Sequence, residues 1–303
     1  MRGIAGVTAA ALLLAGCGGT ANDPPAGGRP VHTPTASPSA TSTDGNGSLV
    51  PKNLQIPSGA GSAPTLVGAD VSWPQCPKGM GIPQKRSEGA PMPTAQARFV
   101  IIGLTNGPSF VANPCLADQV AWARARHLRM AAYSVVSYPD ASTLKALGHK
   151  GPYDGATRLG ALGNVGYQAA LFNIDSMRRV GLLVPTVWVD VEPVVHFDWS
   201  SDTEANAAVV RGTVRGYEDA GLRVGFYSVK SLWQRVVGGL RMRRPEWRAA
   251  GKTSAAEALR RCNSADWSFN GGSGVIGQWV AEGRDLDVTC PGMDADLAKW
   301  FRK

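Results

Sequence analysis

From residue 65 onward, apolar positions fall into short unbroken runs separated by turn chemistry and by stretches of helical spacing. The runs at 66–73, 98–104, 129–136, 186–190, 223–228 and 275–280 are rich in β-branched and aromatic side chains and lack the alternation of a half-solvated strand. Helices are predicted over 114–126, 165–179, 201–220, 231–237 and 255–261. Asn113 and the run Ser201-Asp202-Thr203-Glu204 serve as start signals, and Gly221 as a stop. Residues 138–163 are Gly-rich with few periodic features and read as an insertion. Buried strands alternating with helices predict an α/β fold, a parallel sheet covered by helices. At this length a closed (β/α) TIM-like barrel is favoured over an open doubly wound sheet. It is expected to be irregular, because eight strands cannot be counted. No Gly-x-Gly-x-x-Gly follows the first strand, so no dinucleotide or other cofactor is expected.

The run Pro185-Thr186-Val187-Trp188-Val189-Asp190-Val191-Glu192-Pro193 organises the candidate chemistry. Strand side chains alternate, so Asp190 and Glu192 share one face and Val191 points away. Both acids sit where a parallel strand leaves the sheet, the end at which barrel active sites are built. Asp70 closes the first strand in the same way. Asp294 occupies a late loop, with Asp285, Asp287 and Asp296 competing for that place. Acids gathered at one mouth repel each other and lose water, which raises at least one pKa and leaves another group ionised. One protonated and one charged carboxyl is what cleavage of a glycosidic bond requires.

The chain opens with Met1-Arg2-Gly3, and an apolar run leads to Leu14-Ala15-Gly16-Cys17. This is the pattern of an export signal, too short for a membrane span. Leu-Ala-Gly-Cys resembles the bacterial lipobox, which implies cleavage before Cys17, lipidation of its thiol and anchoring at the outer face of the cytoplasmic membrane. The expected organisation is a signal over 1–16, a Gly/Pro/Ser/Thr-rich tether over 17–64, and one folded domain over 65–303. Beyond Cys17 the cysteines are Cys76, Cys115, Cys262 and Cys290, an even number in an exported chain, which argues for two disulfides. Of three connectivities, Cys76–Cys115 with Cys262–Cys290 is favoured because each pair joins neighbouring segments. No metal is expected: C-x-x-C is missing and His32, His127, His149 and His196 are scattered. The net charge of +8 fits an anionic partner such as a phosphate-bearing wall polymer. Nucleic acid is not expected of an exported chain without a basic cluster. A peptidase lacks support, since no Gly-x-Ser-x-Gly occurs.

Asp70-Val71-Ser72, Asp190-Val191-Glu192, Gly225-Phe226-Tyr227-Ser228 and Gln278-Trp279 followed by a final Asp together resemble glycoside hydrolase family 25. These are lysozymes that cut muramic-acid bonds of peptidoglycan. The resemblance covers residues 68 to about 301. It implies Glu192 as general acid and Asp190 as the carboxylate supporting the substrate's own N-acetyl group. It also implies Asp70 as the first-strand acid and Asp294 as the last. Tyr133, Tyr227 and Trp279 would be walls for sugar rings, with Asn106 and Gln278 lining the same groove. Peptidoglycan or another anionic wall glycan is the implied partner, and a monomer is the expectation. The chain departs from the family after the second strand, where Gly103-Leu104-Thr105-Asn106-Gly107 replaces Lys-Ala-Thr/Ser-Glu-Gly and puts an amide in place of an acid. The cysteine loops Trp73-Pro74-Gln75-Cys76 and Asn113-Pro114-Cys115-Leu116 are also unlike the usual lysozymes. Such a divergent branch leaves a second reading, a wall-binding lipoprotein that keeps the groove without the chemistry.

Overall fold

A computed structural model of the protein describes residues 65–303, the side chain of Asp294 excepted. The expected signal, Cys17 and the tether lie outside the described residues. Strand β1 (Val67–Val71) is followed by a 3-10 turn at Trp73–Gln75 and a long loop into β2 (Phe99–Gly103). The chain continues through α1 (Leu116–Ala125), β3 (Arg129–Val135), α2 (Ala141–Leu147), α3 (Arg158–Arg179) and β4 (Thr186–Asp190). Next come α4 (Thr203–Asp219), β5 (Arg223–Ser228), α5 (Lys230–Val237), β6 (Glu246–Ala249) and α6 (Ala255–Asn263). The hairpin β7 (Gly274–Ala281) and β8 (Arg284–Thr289) and the short α7 (Leu297–Trp300) complete the fold.

The strands close in chain order into an α/β TIM-like barrel. Strands β1 to β7 run parallel, whereas β8 is antiparallel to both β7 and β1. The wholly parallel sheet expected from the pattern is therefore broken at one strand. Its cause is local: Ala281 pairs with Arg284, and Glu282 and Gly283 adopt φ of 53° and 70°. A two-residue turn with both φ positive matches the twist of a hairpin and leaves no room for a crossover helix.

Hydrophobic burial is divided between two layers. Inside the barrel, Phe99, Ile101, Trp188, Trp247 and Ile276 fill the lumen. Outside, the opposite faces of the strands meet helix residues such as Val120, Ile174, Val210 and Trp233. The foot of the barrel, where β1 to β7 begin, is plugged by the C-terminus: Phe99 and Phe301 have ring centroids 4.6 Å apart, and Thr186 Oγ1 donates to the Lys299 carbonyl at 2.6 Å.

The stretch 138–163 is more regular than its sequence implied, since it contains α2 and the start of α3. Asp140 caps α2 by accepting from the Thr143 N–H at 2.7 Å. Asn164 holds the intervening loop, donating to the Gly148 and Tyr153 carbonyls at 2.8 and 3.0 Å. Both disulfides follow the favoured pairing, with Cys76–Cys115 tying the loop after β1 to the start of α1 and Cys262–Cys290 tying α6 to the end of β8. No helix among the described residues is long and apolar enough to cross a membrane.

Candidate active site

The C-terminal ends of β1 to β7 and the N-terminal end of β8 share one mouth, and the acids converge there. Asp70 and Asp190 are buried at the ends of β1 and β4, and Glu192 is half-buried just beyond β4. Strand β8 adds Asp285 and Asp287 on its inward face, while Leu286 packs outward. A hydrogen-bonded chain orders part of the ring. The Tyr227 hydroxyl donates to Gln278 Oε1 at 2.8 Å, and Gln278 Nε2 donates to Asp70 Oδ2 at 2.7 Å. From β6, Trp247 Nε1 donates to Asp287 Oδ1 at 2.8 Å, and its ring stands 4.6 Å from Tyr227 and 5.8 Å from Tyr133 between centroids. Asp190 Oδ1 and Asp287 Oδ2 have no hydrogen-bond partner among the described residues. Such orphaned buried acceptors are rare and mark places where a donor from outside would be welcomed.

Burial dominates the ionisation of this ring. It pushes Glu192 up to about 7, with Asp285 adding repulsion and the Lys85 charge opposing it. Asp190 is held well above the usual carboxylate range by burial and then by Glu192. Burial and the neighbouring Asp285 and Asp287 raise Asp70, against the opposing Gln278 bond. Burial also raises Asp285 and, despite the Trp247 bond, Asp287. Interacting acids of this kind titrate as a set rather than singly. Because the folded values are raised, stability is fully present below the unfolded carboxylate pKa of about 4. It is lost as pH rises through the folded values, about 7 for Glu192. The melting temperature is therefore expected to be lower at pH 8 than at pH 5, with a shallower slope in Glu192→Gln. A flat or rising wild-type profile across that window would contradict this electrostatic picture.

Residues 163–264, less than half of the chain, match the family model described as Lysozyme-like protein 1. That segment runs from α3 to α6 and includes Asp190, Glu192 and Tyr227. "Probable GH family 25 lysozyme 4" of Dictyostelium discoideum is 38% identical over 53 residues, 18% of this chain and 24% of that protein. Over this segment the chain is similar to glycoside hydrolase family 25 lysozymes. "Lysozyme-like protein 5" of Caenorhabditis elegans is 30% identical over 66 residues, 22% of this chain and 29% of that protein. The chain thus spans only about a quarter of the length of the curated relatives it matches. Among solved structures, a family GH25 lysozyme from Aspergillus fumigatus is 16% identical, with 78% of this chain and 99% of that chain covered and a TM-score of 0.47. The bacterial lysozyme from Streptomyces coelicolor is 14% identical, with 78% and 96% covered and a TM-score of 0.48.

The departures of this barrel from the expected pattern have local causes. A Cβ at Gly103, where the family carries Lys, would lie 2.5 Å from Ser72 Cβ and 2.8 Å from the Tyr133 ring. The tyrosine occupies the space a longer side chain would need. Asn106 is fully buried and already engaged: its Oδ1 accepts from the Ile82 N–H at 2.8 Å and its Nδ2 donates to the Lys85 carbonyl at 3.0 Å. Its expected place as a groove-lining residue is corrected accordingly, because both ends of the amide clamp the loop after β1. That clamp carries the Lys85 ammonium to the mouth, 5.9 Å from the Trp73 ring centroid and close enough to feel Glu192. A carboxylate cannot donate to the Lys85 carbonyl, so Asn106→Asp is expected to leave that carbonyl unpaired, at a cost of about 1–3 kcal/mol. Amide exchange over residues 82–85 should speed up by roughly tenfold or more. Unchanged protection would show that the clamp is dispensable.

Two further site expectations are corrected by placement. Asp294 opens a 3-10 turn, Asp294–Asp296, after the C-terminal end of β8. Because β8 is antiparallel, that end pairs with the start of β1, through Val67 and Val288, at the foot of the barrel. The last strand sends Asp285 and Asp287 to the mouth instead. Trp279 is buried with Ala250, Ala258 and Val288 under α6, one residue out of phase with the inward Gln278, so it is core rather than sugar wall. Tyr133 and Tyr227 do border the mouth, half-buried, and burial raises both hydroxyl pKa values well above the usual. Lys85 and Trp247 had no motif to announce them. The alternation Asp285-Leu286-Asp287-Val288 is by contrast a period-2 strand signal with both acids on one face.

Proposed function

We propose that the protein is an exported glycoside hydrolase, lipid-anchored through Cys17, that cuts peptidoglycan or a related wall glycan at a muramic-acid bond. The observation carrying this reading is the Asp190/Glu192 pair, set in a buried acidic mouth with the Glu192 carboxyl raised to about 7. Glu192 can then hold a proton at neutral pH and remain close to the driving force that transfer needs. In the proposed step its proton passes to the glycosidic oxygen as the bond from C1 to that oxygen breaks. The substrate's N-acetyl carbonyl oxygen closes onto C1, forming a cyclic oxazolinium. Asp190 Oδ1, which lacks a donor, accepts the acetamide N–H, which favours ionised Asp190 and leaves the shared proton on Glu192. Water then adds to C1, the ring reopens, and the water's proton returns to Glu192. Tyr133 and Tyr227 offer faces against which sugar rings can rest.

The test is digestion of purified peptidoglycan, with mass spectrometry of the soluble fragments. Muropeptides with new reducing-end sugars support the hydrolase. Retention on walls without new reducing ends assigns the groove to a binding protein instead.

A further inference from the structure

The two ends of the barrel carry opposite charge. Carboxylates fill the mouth, and arginines distant in sequence meet at the foot. Backbone bonds place them: the Arg98 N–H donates to the Val67 carbonyl at 2.8 Å, and the Arg223 N–H to the Pro185 carbonyl at 2.9 Å, so both residues stand at strand beginnings. Arg302 reaches the same end through paired bonds with Met130 at 2.7 and 2.8 Å. Arg178 lies in the last turn of α3, and Arg241 and Arg243 lie in the loop entering β6. These six side chains are exposed. None makes an ion pair among the described residues, whereas the nearby Glu218 and Asp296 are engaged by Arg244 and Lys299 at 2.6 and 2.7 Å. The fold thus gathers a basic face from segments far apart in sequence, only one of which, Arg241-Met242-Arg243-Arg244, is a basic run by itself.

The chain also enters the barrel at this face, since Leu66 is fixed at the foot by its N–H to Thr289 Oγ1 at 2.9 Å. We propose that the foot of the barrel is a docking face for anionic phospholipid headgroups, directing the mouth away from the membrane and toward the wall. This rests on the export and lipid-anchor reading, which brings a bilayer within reach of that end. It does not depend on which bond the mouth cuts. The lipid anchor would hold the chain at the bilayer, and the basic patch adds a second signal that fixes which face of the barrel meets it. Each arginine near an anionic surface strengthens the association by roughly fivefold, screened by salt.

The test uses the full chain carrying Cys17→Ala, so that no acyl chain contributes. It is sedimented with vesicles of phosphatidylcholine alone or mixed with phosphatidylglycerol, at low and high salt. Binding is expected to the mixed vesicles only and to weaken with salt. A quadruple variant, Arg98→Gln, Arg223→Gln, Arg241→Gln and Arg243→Gln, should lose roughly a hundredfold or more in partitioning. Its near-UV circular dichroism and wall hydrolysis should stay as in the parent. Equal binding to both vesicle types, undiminished binding by the quadruple variant, or retention only by phosphate-bearing wall polymer would overturn the proposal. The mass of the Cys17-containing peptide from cell membranes reports lipidation separately, so failure of the anchor and failure of the docking face are distinguishable.

Discussion

Glu192→Gln is expected to abolish the release of new reducing ends while leaving the barrel folded. The substitution keeps the size of a half-buried side chain and removes only its capacity to give up a proton. General acid catalysis contributes about 10²–10⁴ in rate, so turnover should fall by roughly a thousandfold. The wild-type pH profile supplies an independent check. The acid must be protonated to act, and burial places its pKa at about 7. The rate should therefore decline as pH rises through that value, instead of holding level into the alkaline range. Glu192→Gln should show no such limb in whatever activity remains. Wall digestion equal to wild type in the variant would move proton donation to another residue. Two silent proteins, both still retained on walls, would leave the groove as a binding site.

The chain was most legible where burial and chemistry share a period. The apolar run and Asp190 bound strand β4, and the structure has it residue for residue as Thr186–Asp190. Strand β5 is bounded equally well by its own apolar run, Arg223–Ser228. The two strands without a clear sequence signal, β6 and β8, carry two inward or buried charges each and no long apolar run. Glu246 and Arg248 look like solvent-facing residues until their partners are known, and Asp285 and Asp287, though spaced as one face of a strand, look like its solvent face until the hairpin turns them inward. The same reason explains the last acid. Asp294 fitted a linear reading in which the final loop follows the final parallel strand, and an antiparallel β8 reverses which end that loop reaches. Asn106 is a different case, because its replacement of an acid was visible in sequence. Its purpose, clamping Ile82 and Lys85, depends on a loop whose path is set by the Cys76–Cys115 bridge and by the backbone around Pro74 and Ser87. Long-range geometry of that kind has no local signature.

A large loss of stability is expected from Arg248→Met. Arg248 and Glu246 form a salt bridge at 2.8 Å with side-chain exposures of only 5% and 0%. The guanidinium also donates to the carbonyls of Arg261, Cys262 and Ser264 at 2.7, 3.0 and 2.9 Å. Glu246 Oε1 in turn accepts from the Asn270 N–H and Nδ2 at 2.9 and 2.8 Å and from the Phe269 N–H at 3.1 Å. The pair thereby fastens β6 to the end of α6 and the loop beyond it, the region also closed by Cys262–Cys290. Removing one partner of a buried pair leaves an uncompensated charge and costs about 3–5 kcal/mol. The urea midpoint should fall accordingly, with the slope unchanged. Glu246→Gln/Arg248→Met should lose less than Arg248→Met alone, because no charge is then stranded; equal losses, or a single-variant loss below about 1 kcal/mol, would refute the stranded-charge account. The latch also bears on the mouth. Trp247 lies between the two residues on the opposite face of β6, and its indole N–H holds Asp287 at 2.8 Å. A loosened β6 should therefore lower turnover even under conditions where the variant remains folded, linking a structural ion pair beneath α6 to the order of the acidic ring.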